Sequence, residues 1–390
     1  MGGAERVLLD IIAETRIRYA DWPVAVVSVE DGPLRQAVEA MGATYDVVAL
    51  PHRFASTGEY GRHPLATACR LVASIPAPIG CTRRLRRHVR QWQPDLVHAN
   101  GLKGHILSAW VVSGKMRLLW HVHDYVSPRA ISAALFRRFS ARADTIVANS
   151  RSVAADVERV LGGERSVRVL HNGIDNARFS PDGPSLDLDA AAGLATAPAG
   201  TVRVGLVATY AKWKGHEIFL EAVSRLGPAV PVRAYVVGGP AYQVSASQWT
   251  RADLNRRAAE LGLDGRVGFL DFQADTSPVY RSLDVVVHAS TAPEPFGLVI
   301  AEAMSCGRPV VISDAGGARE IGEPERTCVA HPPGNVEALA RQLERLINDA
   351  ALRARLGAAA AVAVRSRFSR RQMGDALHAM YLETSHGRAG

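Results

Sequence analysis

The sequence predicts an α/β protein of two parallel-sheet domains facing each other across a cleft. Three observations predict it. Short apolar runs alternate with helical patterns along nearly the whole chain. The alternation stops once, at residues 180–200, and then restarts. The length of 390 residues exceeds one ordinary core. Short apolar strands separated by helices pair in parallel, with helices on both faces. Ligands of such sheets bind beyond the carboxyl ends of the strands, so two facing sheets place a site between them.

Residues 5–19 carry Val7, Leu8, Ile11, Ile12 and Ile17 on or near one helical face. Strand 24–29, helix 34–41 (ending at Gly42) and strand 45–50 follow. Segment 51–80, with His52, Arg53 and His63, has no legible chemistry. A basic helix is expected at 82–92, strand at 95–99, helix at 102–112 and strand at 117–124. Helix 131–141, strand 144–148, helix 153–161 and strand 167–170 complete a first domain, 1–180. Residues 181–200 are turn material and then small and low in complexity, the composition of a linker. The second domain, 201–367, restarts with strand 202–208 and helix 214–226. Strands 232–237, 266–270, 284–288 and 309–313 follow, with helices 252–261 and 277–282. Helices 335–348 and 350–367 close it, and residues 368–390 are expected to cross back to the first domain.

The composition is globular, 47% hydrophobic and 22% charged. No apolar run approaches the roughly 20 residues of a membrane span. The N-terminal residues lack a signal-peptide layout. Cys69, Cys81, Cys306 and Cys328 form no close pair, so reduced thiols, a cytoplasmic location and no cysteine metal site are expected. The net charge of +8 concentrates locally at Arg83, Arg84, Arg86, Arg87 and Arg90. No aromatic residues interleave with these and no nucleic-acid motif is present, which argues against nucleic acid as a partner. This helix, with Arg129, Arg137, Arg138 and Arg142, reads either as a solvated face or as a peripheral contact with an anionic membrane at the inner face of the plasma membrane.

One stretch concentrates the chemistry, Pro293-Glu-Pro-Phe-Gly-Leu-Val-Ile-Ala-Glu302. Pro295 forces Glu294 to be extended, and Gly297 lets backbone approach a ligand. A helix begins there and stops at Gly307. Two carboxylates around a helix N-terminus suit a polyol joined to a phosphate. His121 and His123 share one strand face, but no third metal ligand is placed.

The Glu-x7-Glu stretch resembles the signature of glycosyltransferase family 4, retaining enzymes of the GT-B fold with two Rossmann-like domains. Further motifs follow in the family's order: Gly2-Gly3-Ala4-Glu5, His123-Asp124, Asn172-Gly173-Ile174-Asp175 with Phe179 and Pro181, Lys214-Gly215, Gly238-Gly239, and Gly316-Gly317-Ala318-Arg319-Glu320. The resemblance implies a hexosyltransferase-type enzyme. It would move a sugar from a UDP- or GDP-sugar to a hydroxyl of a cell-surface glycan, exopolysaccharide or lipid-linked acceptor, without a required metal or cofactor. Glu294 would grip the donor sugar and Glu302 the ribose. The backbone of Phe296, Gly297 and Leu298 would face the sugar or diphosphate, and Lys214 would neutralise the leaving diphosphate. His123 would meet the sugar from the first domain, and Gly3 and Gly238 would line the donor. The family carries an arginine where this chain has Thr209, and Lys212 is the nearest replacement charge. The family also begins with a strand ahead of the glycine loop, whereas this chain starts at the loop. A first domain lacking that strand is expected, and donor binding is the safer expectation than turnover. A non-catalytic or truncated nucleotide-sugar-binding protein, a phosphorylase or a nucleotide-sugar epimerase are alternatives. An oxidoreductase is disfavoured, because no Gly-x-Gly-x-x-Gly follows a strand.

Overall fold

The computed structural model describes residues 2–49, 76–240 and 247–386. The chain divides into two compact units, Met1–Gly173 with Arg370–Gly390, and Ile174–Ser369. His52, Arg53, His63 and Cys69 lie outside the described residues.

In the first unit, α1 (Gly3–Arg18) buries Val7, Ile11 and Ile12, the face its spacing predicts. It starts two residues earlier than expected, so Gly3 is helical and Gly2 caps it. Strand β1 (Ala25–Ser28), helix α2 (Pro33–Ala40) and β2 (Thr44–Val47) follow, and β1 pairs in parallel with β2. Then come α3 (Pro76–Trp92), β3 (Leu96–Asn100), α4 (Leu102–Val111), β4 (Arg117–Val122), α5 (Ala130–Phe139), β5 (Thr145–Ala148), α6 (Arg151–Val160) and β6 (Arg168–Val169). Among the described residues these strands form two sheets, β1-β2 and β3-β4-β5-β6. Helix α3 begins at Pro76, six residues before the expected start.

Alternation along β4 sorts its side chains by face. Leu118, Trp120 and Val122 join the apolar core with Phe136, Ile146 and Val157. Leu119 and His121 fall on the other face.

In the second unit, the stretch expected to be a linker is packed instead. Helix α7 (Leu188–Ala191) is capped by the Asp187 side chain, and Leu188 is buried. The Asp189 carboxylate accepts hydrogen bonds from the Tyr235 hydroxyl at 2.6 Å, Arg233 at 2.7 Å and the Ala197 N–H at 2.9 Å. A buried carboxylate with three such donors fixes the segment more firmly than its small-residue composition implies. Burial alone would raise the pKa of Asp189, but these donors hold it well below the usual carboxylate range.

The second sheet uses β7 (Val202–Val207), β8 (Val232–Val237), β9 (Val267–Leu270), β10 (Val285–His288), β11 (Val310–Ser313) and β12 (Val329–His331). Its order is β12-β11-β10-β7-β8-β9, with every pair parallel. Strand β12 was not anticipated, because three residues are too few to show a period. The helices are α8 (His216–Ser224), α9 (Arg251–Glu260), α10 (Ser277–Ser282), α11 (Leu298–Ser305), α12 (Ala318–Ile321), α13 (Val336–Asn348) and α14 (Ala350–Arg367). The chain builds outward from β7 through β8 and β9, then returns to β10 on the other side of β7. That reversal is the switch point where parallel sheets open a crevice at their carboxyl ends.

The last helix, α15 (Arg370–His386), belongs to the first unit. His378 Nε2 lies 3.0 Å from Thr15 Oγ1 of α1, and Arg370 bonds Glu14 at 3.0 Å.

Candidate active site

The switch point sets the loop after β7 beside the loop after β10. The first loop contains a 3-10 turn, Lys212–Lys214, ending at Gly215 with φ +78°. Lys214 was expected to be helical, but it precedes α8. A Cβ on Gly215 would stand 1.9 Å from the Ala289 carbonyl oxygen at the end of β10. Only glycine lets the two loops approach this closely. The Thr291 N–H also donates to the Trp213 carbonyl at 2.7 Å. Gly215→Ala is expected to cost more than about 2 kcal/mol, from left-handed strain plus the clash. A urea titration would show this as a lowered midpoint.

These contacts bring Lys214 to Glu294. The ammonium donates to both carboxylate oxygens, at 2.9 and 2.8 Å. Trp213 lies under the ammonium, 4.0 Å from ring centroid to Nζ. The carboxylate is buried, at 7% exposure. Burial alone would raise its pKa, but the Lys214 charge and a hydrogen bond from His288 hold it well below the usual range.

His288 and Ser290 complete the grip on Glu294, and the sequence did not single them out. His288 Nδ1 accepts from the Ser313 N–H at 3.3 Å, which leaves Nε2–H as the donor. Nε2 lies 3.1 Å from Glu294 Oε2, and Ser290 Oγ donates to the same oxygen at 3.1 Å. The signal available was their place at the end of β10, a few residues before Glu294. His288→Phe is expected to lower turnover about ten- to a hundred-fold, the worth of a hydrogen bond to a charged group. His288→Gln should recover part of it. Equal loss in both variants would contradict the hydrogen-bonding role.

Backbone geometry explains two further motifs. The Gly317 N–H donates to the Glu294 carbonyl at 2.7 Å, and Glu294 bridges Gly316 in parallel. The Gly316-Gly317 loop therefore holds the main chain of Glu294. Gly297, at φ +108°, caps α11. The N–H groups of Phe296, Gly297 and Leu298 lie at this helix start. The Phe296 side chain is buried against Phe368, with ring centroids 5.8 Å apart, so only its backbone is available to a ligand. Glu302 falls in the second turn of α11, buried, and accepts from the Tyr280 hydroxyl at 2.8 Å.

The other expected donor residues are placed as follows. Thr209 is half-buried just after β7, and Gly238 follows β8 at φ +154°. Lys212 is exposed and turns to Trp249, with Nζ 4.9 Å from the ring centroid, so it does not join Lys214 and Glu294. Gly3 and His123 belong to the first unit.

His123 follows β4. Its Nε2 lies 2.7 Å from Asn100 Oδ1 of β3, and its backbone carbonyl accepts from Asn149 at 3.2 Å. Asn100 must receive the proton of Nε2, so Nδ1 carries the lone pair. Nδ1 is buried and without a partner within the described chain, as is Asn100 Nδ2. His123 stands 4.0 Å from the His121 ring, and His121 stands 5.3 Å from His98. Burial, then neighbouring histidine charges, lower His98 and His123 to about 3. Burial takes His105 to about 4 and His121 well below its ordinary value. All four are neutral near pH 7. No three His, Cys, Asp or Glu converge for a metal among the described residues.

Two family models match in tandem. "Glycosyltransferase Family 4" matches residues 1–178 and "Glycosyl transferases group 1" matches residues 197–362. The chain belongs to glycosyltransferase family 4. HepE from Anabaena, solved with UDP-glucose, superposes with a TM-score of 0.80 at 27% identity, covering 98% of this chain and 96% of that one. The family's GT-B fold is therefore the architecture of the two units. A lipopolysaccharide core biosynthesis glycosyltransferase, LpsE of Rhizobium meliloti, is 31% identical over 60% of this chain and 62% of its own length. A D-inositol 3-phosphate glycosyltransferase of Rhodococcus erythropolis is 33% identical over 45% of this chain and 40% of its own length. The matches thus span about half the length of these curated relatives. Among the described residues, no helix is long and apolar enough to cross a membrane.

Proposed function

We propose that this family 4 chain is a retaining, hexosyltransferase-type enzyme. It moves a sugar from a nucleoside-diphosphate sugar to a hydroxyl of a glycan or lipid-linked acceptor. The observation that carries this is the Lys214–Glu294 pair at the switch point, beside the N-terminus of α11. A cation, an ionised carboxylate and the backbone N–H groups of a helix start match a leaving diphosphate and a sugar hydroxyl pair. The donor's C1–O bond breaks, the diphosphate leaves, and the acceptor oxygen forms the new bond on the same face. A phosphate oxygen takes the acceptor's proton, so no protein nucleophile is required. Lys214 keeps its third N–H for the diphosphate, and that interaction strengthens as negative charge grows. Glu294 and Glu302 bind hydroxyls of the sugar and the ribose. The acceptor lone pair on His123 Nδ1 suits a hydroxyl of the donor sugar. The HepE complex supports a uridine donor.

A thermal-shift series with UDP, GDP, UDP-glucose and GDP-mannose tests this reading. A matching donor at a hundred times its Kd should raise the second unit's Tm by roughly 5–10 °C. Glu294→Ala should abolish the increment due to the sugar and keep part of that due to UDP. No shift with any nucleotide sugar would refute the proposal.

A further inference from the structure

Glu302 is held from a neighbouring helix. The Tyr280 hydroxyl donates to its Oε2 at 2.8 Å, and the Thr276 hydroxyl reaches the same oxygen at 3.5 Å, the outer limit of a hydrogen bond. Thr276 stands at the N-cap of α10 and Tyr280 lies one turn further on, so the two side chains share the face turned to α11. Glu302, Tyr280 and Thr276 are all buried. A buried carboxylate is costly unless donors meet it, and a hydroxyl meets it without cancelling its charge.

The helix that carries these donors is itself fixed. The Arg281 guanidinium donates to the Ser180 carbonyl at 3.0 Å, the Pro184 carbonyl at 2.9 Å and the Arg178 carbonyl at 2.7 Å. One planar fork thus fastens α10 to residues 178–184 of the same unit, which leaves the helix little freedom to turn. The Tyr280 ring lies in the apolar cluster that also contains Phe179, Ile300 and Met304. A ring packed in this way cannot follow the carboxylate if Glu302 rotates. The hydroxyl is therefore a fixed point, and the carboxylate is aimed by it.

That aim matters to a diol. Two hydroxyls on adjacent carbons both donate to one carboxylate only when its plane faces them, because the lone pairs lie in that plane. A side chain already turned to the right angle binds such a ligand without a further ordering cost. On the reading of Glu302 as the ribose ligand, we propose that Tyr280 is a positioning residue. Its hydroxyl sets the plane of the Glu302 carboxylate and so decides how strongly the ribose diol of the donor nucleotide is recognised. The longer Thr276 contact contributes little.

The test is calorimetric titration of the full chain with UDP and GDP and with their 2′,3′-dideoxy analogues. For the base that binds, the wild type should prefer the ribonucleotide about ten- to a hundred-fold, the worth of hydrogen bonds to a charged group. Tyr280→Phe keeps the ring and removes only the hydroxyl. It should weaken the ribonucleotide about ten-fold or more and the dideoxy analogue less than about two-fold. Thr276→Val should change the preference less than about two-fold. On a Glu302→Gln background, where the preference is already lost, adding Tyr280→Phe should change neither affinity by more than about two-fold. Equal losses for the two nucleotides in Tyr280→Phe would make it a packing residue and overturn the proposal. A ten-fold loss on the Glu302→Gln background would show that Tyr280 acts by another route, with the same result. A preference that survives Glu302→Gln, or is absent from the wild type, would instead refute the ribose reading of Glu302, and the role of Tyr280 with it.

Discussion

Acidification from pH 7 to pH 5 is expected to destabilise the first unit by several kcal/mol, before most of its carboxylates titrate. His98, His105, His121 and His123 are buried and neutral, with folded values lowered to about 3 or 4 where a value is given. Their ordinary value in an unfolded chain is about 6.5. Below that, the unfolded state takes up protons that the folded state refuses, so stability falls as pH falls. Their contribution is fully present above pH 6.5 and is lost as pH drops towards the folded values. Four such groups give a slope of about 5 kcal/mol per pH unit. A domain's whole stability is about 5–15 kcal/mol, so a transition between about pH 5.5 and 3.5 follows. Circular dichroism against pH, with hydrogen exchange to assign the unit, would follow it. His98→Gln with His105→Gln should shift the midpoint to lower pH. A first unit whose stability is the same at pH 5 as at pH 7 would show that water or protein rearrangement accommodates the charges.

Lys214→Ala should produce the largest loss at the proposed donor site, in both stability and turnover. The Glu294 carboxylate would keep His288 and Ser290 but lose its counter-charge in a buried position. Breaking one side of a buried pair costs about 3–5 kcal/mol. On the proposed reaction, in which Lys214 is the cation at the leaving diphosphate, turnover should fall about a hundred- to a thousand-fold. Lys214→Ala combined with Glu294→Gln separates the two effects. The double variant should recover most of the stability and none of the activity. Recovery of both, measured by urea titration and by sugar transfer, would mean that the pair is structural.

The sequence exposed whatever depends on neighbours along the chain. The strand–helix alternation, the caps and the Glu-x7-Glu stretch are local patterns, and Lys214 came with its glycine. Residues that act through distant partners were hidden. His288 reads as the end of an apolar strand until Ser313 and Glu294 are placed on either side of its ring. Asn100 is an ordinary strand-end asparagine until His123 lies 2.7 Å away. Residues 181–200 look like a tether because alanine and glycine dominate them. One carboxylate, Asp189, decides otherwise through donors some 44 and 46 residues downstream. Lys212 shows the reverse error, since proximity in sequence suggested a partner for Lys214 and the turn points it elsewhere.

The second unit starts and finishes at one spot. The Ile174 N–H donates to the Phe368 carbonyl at 2.7 Å, and Ile174 bridges Ser369 in parallel. Only then does the chain supply α15, which buries Met373, Leu377 and Met380 in the first unit. During synthesis, therefore, the first unit waits. Its other elements are complete by Gly173, yet its closing helix leaves the ribosome after some two hundred further residues, about 10–40 seconds later at ordinary elongation rates. The second unit has all its parts by then and can fold first. The order of folding runs against the order of translation, and the half-built first unit is the stage at which a chaperone would find exposed apolar surface.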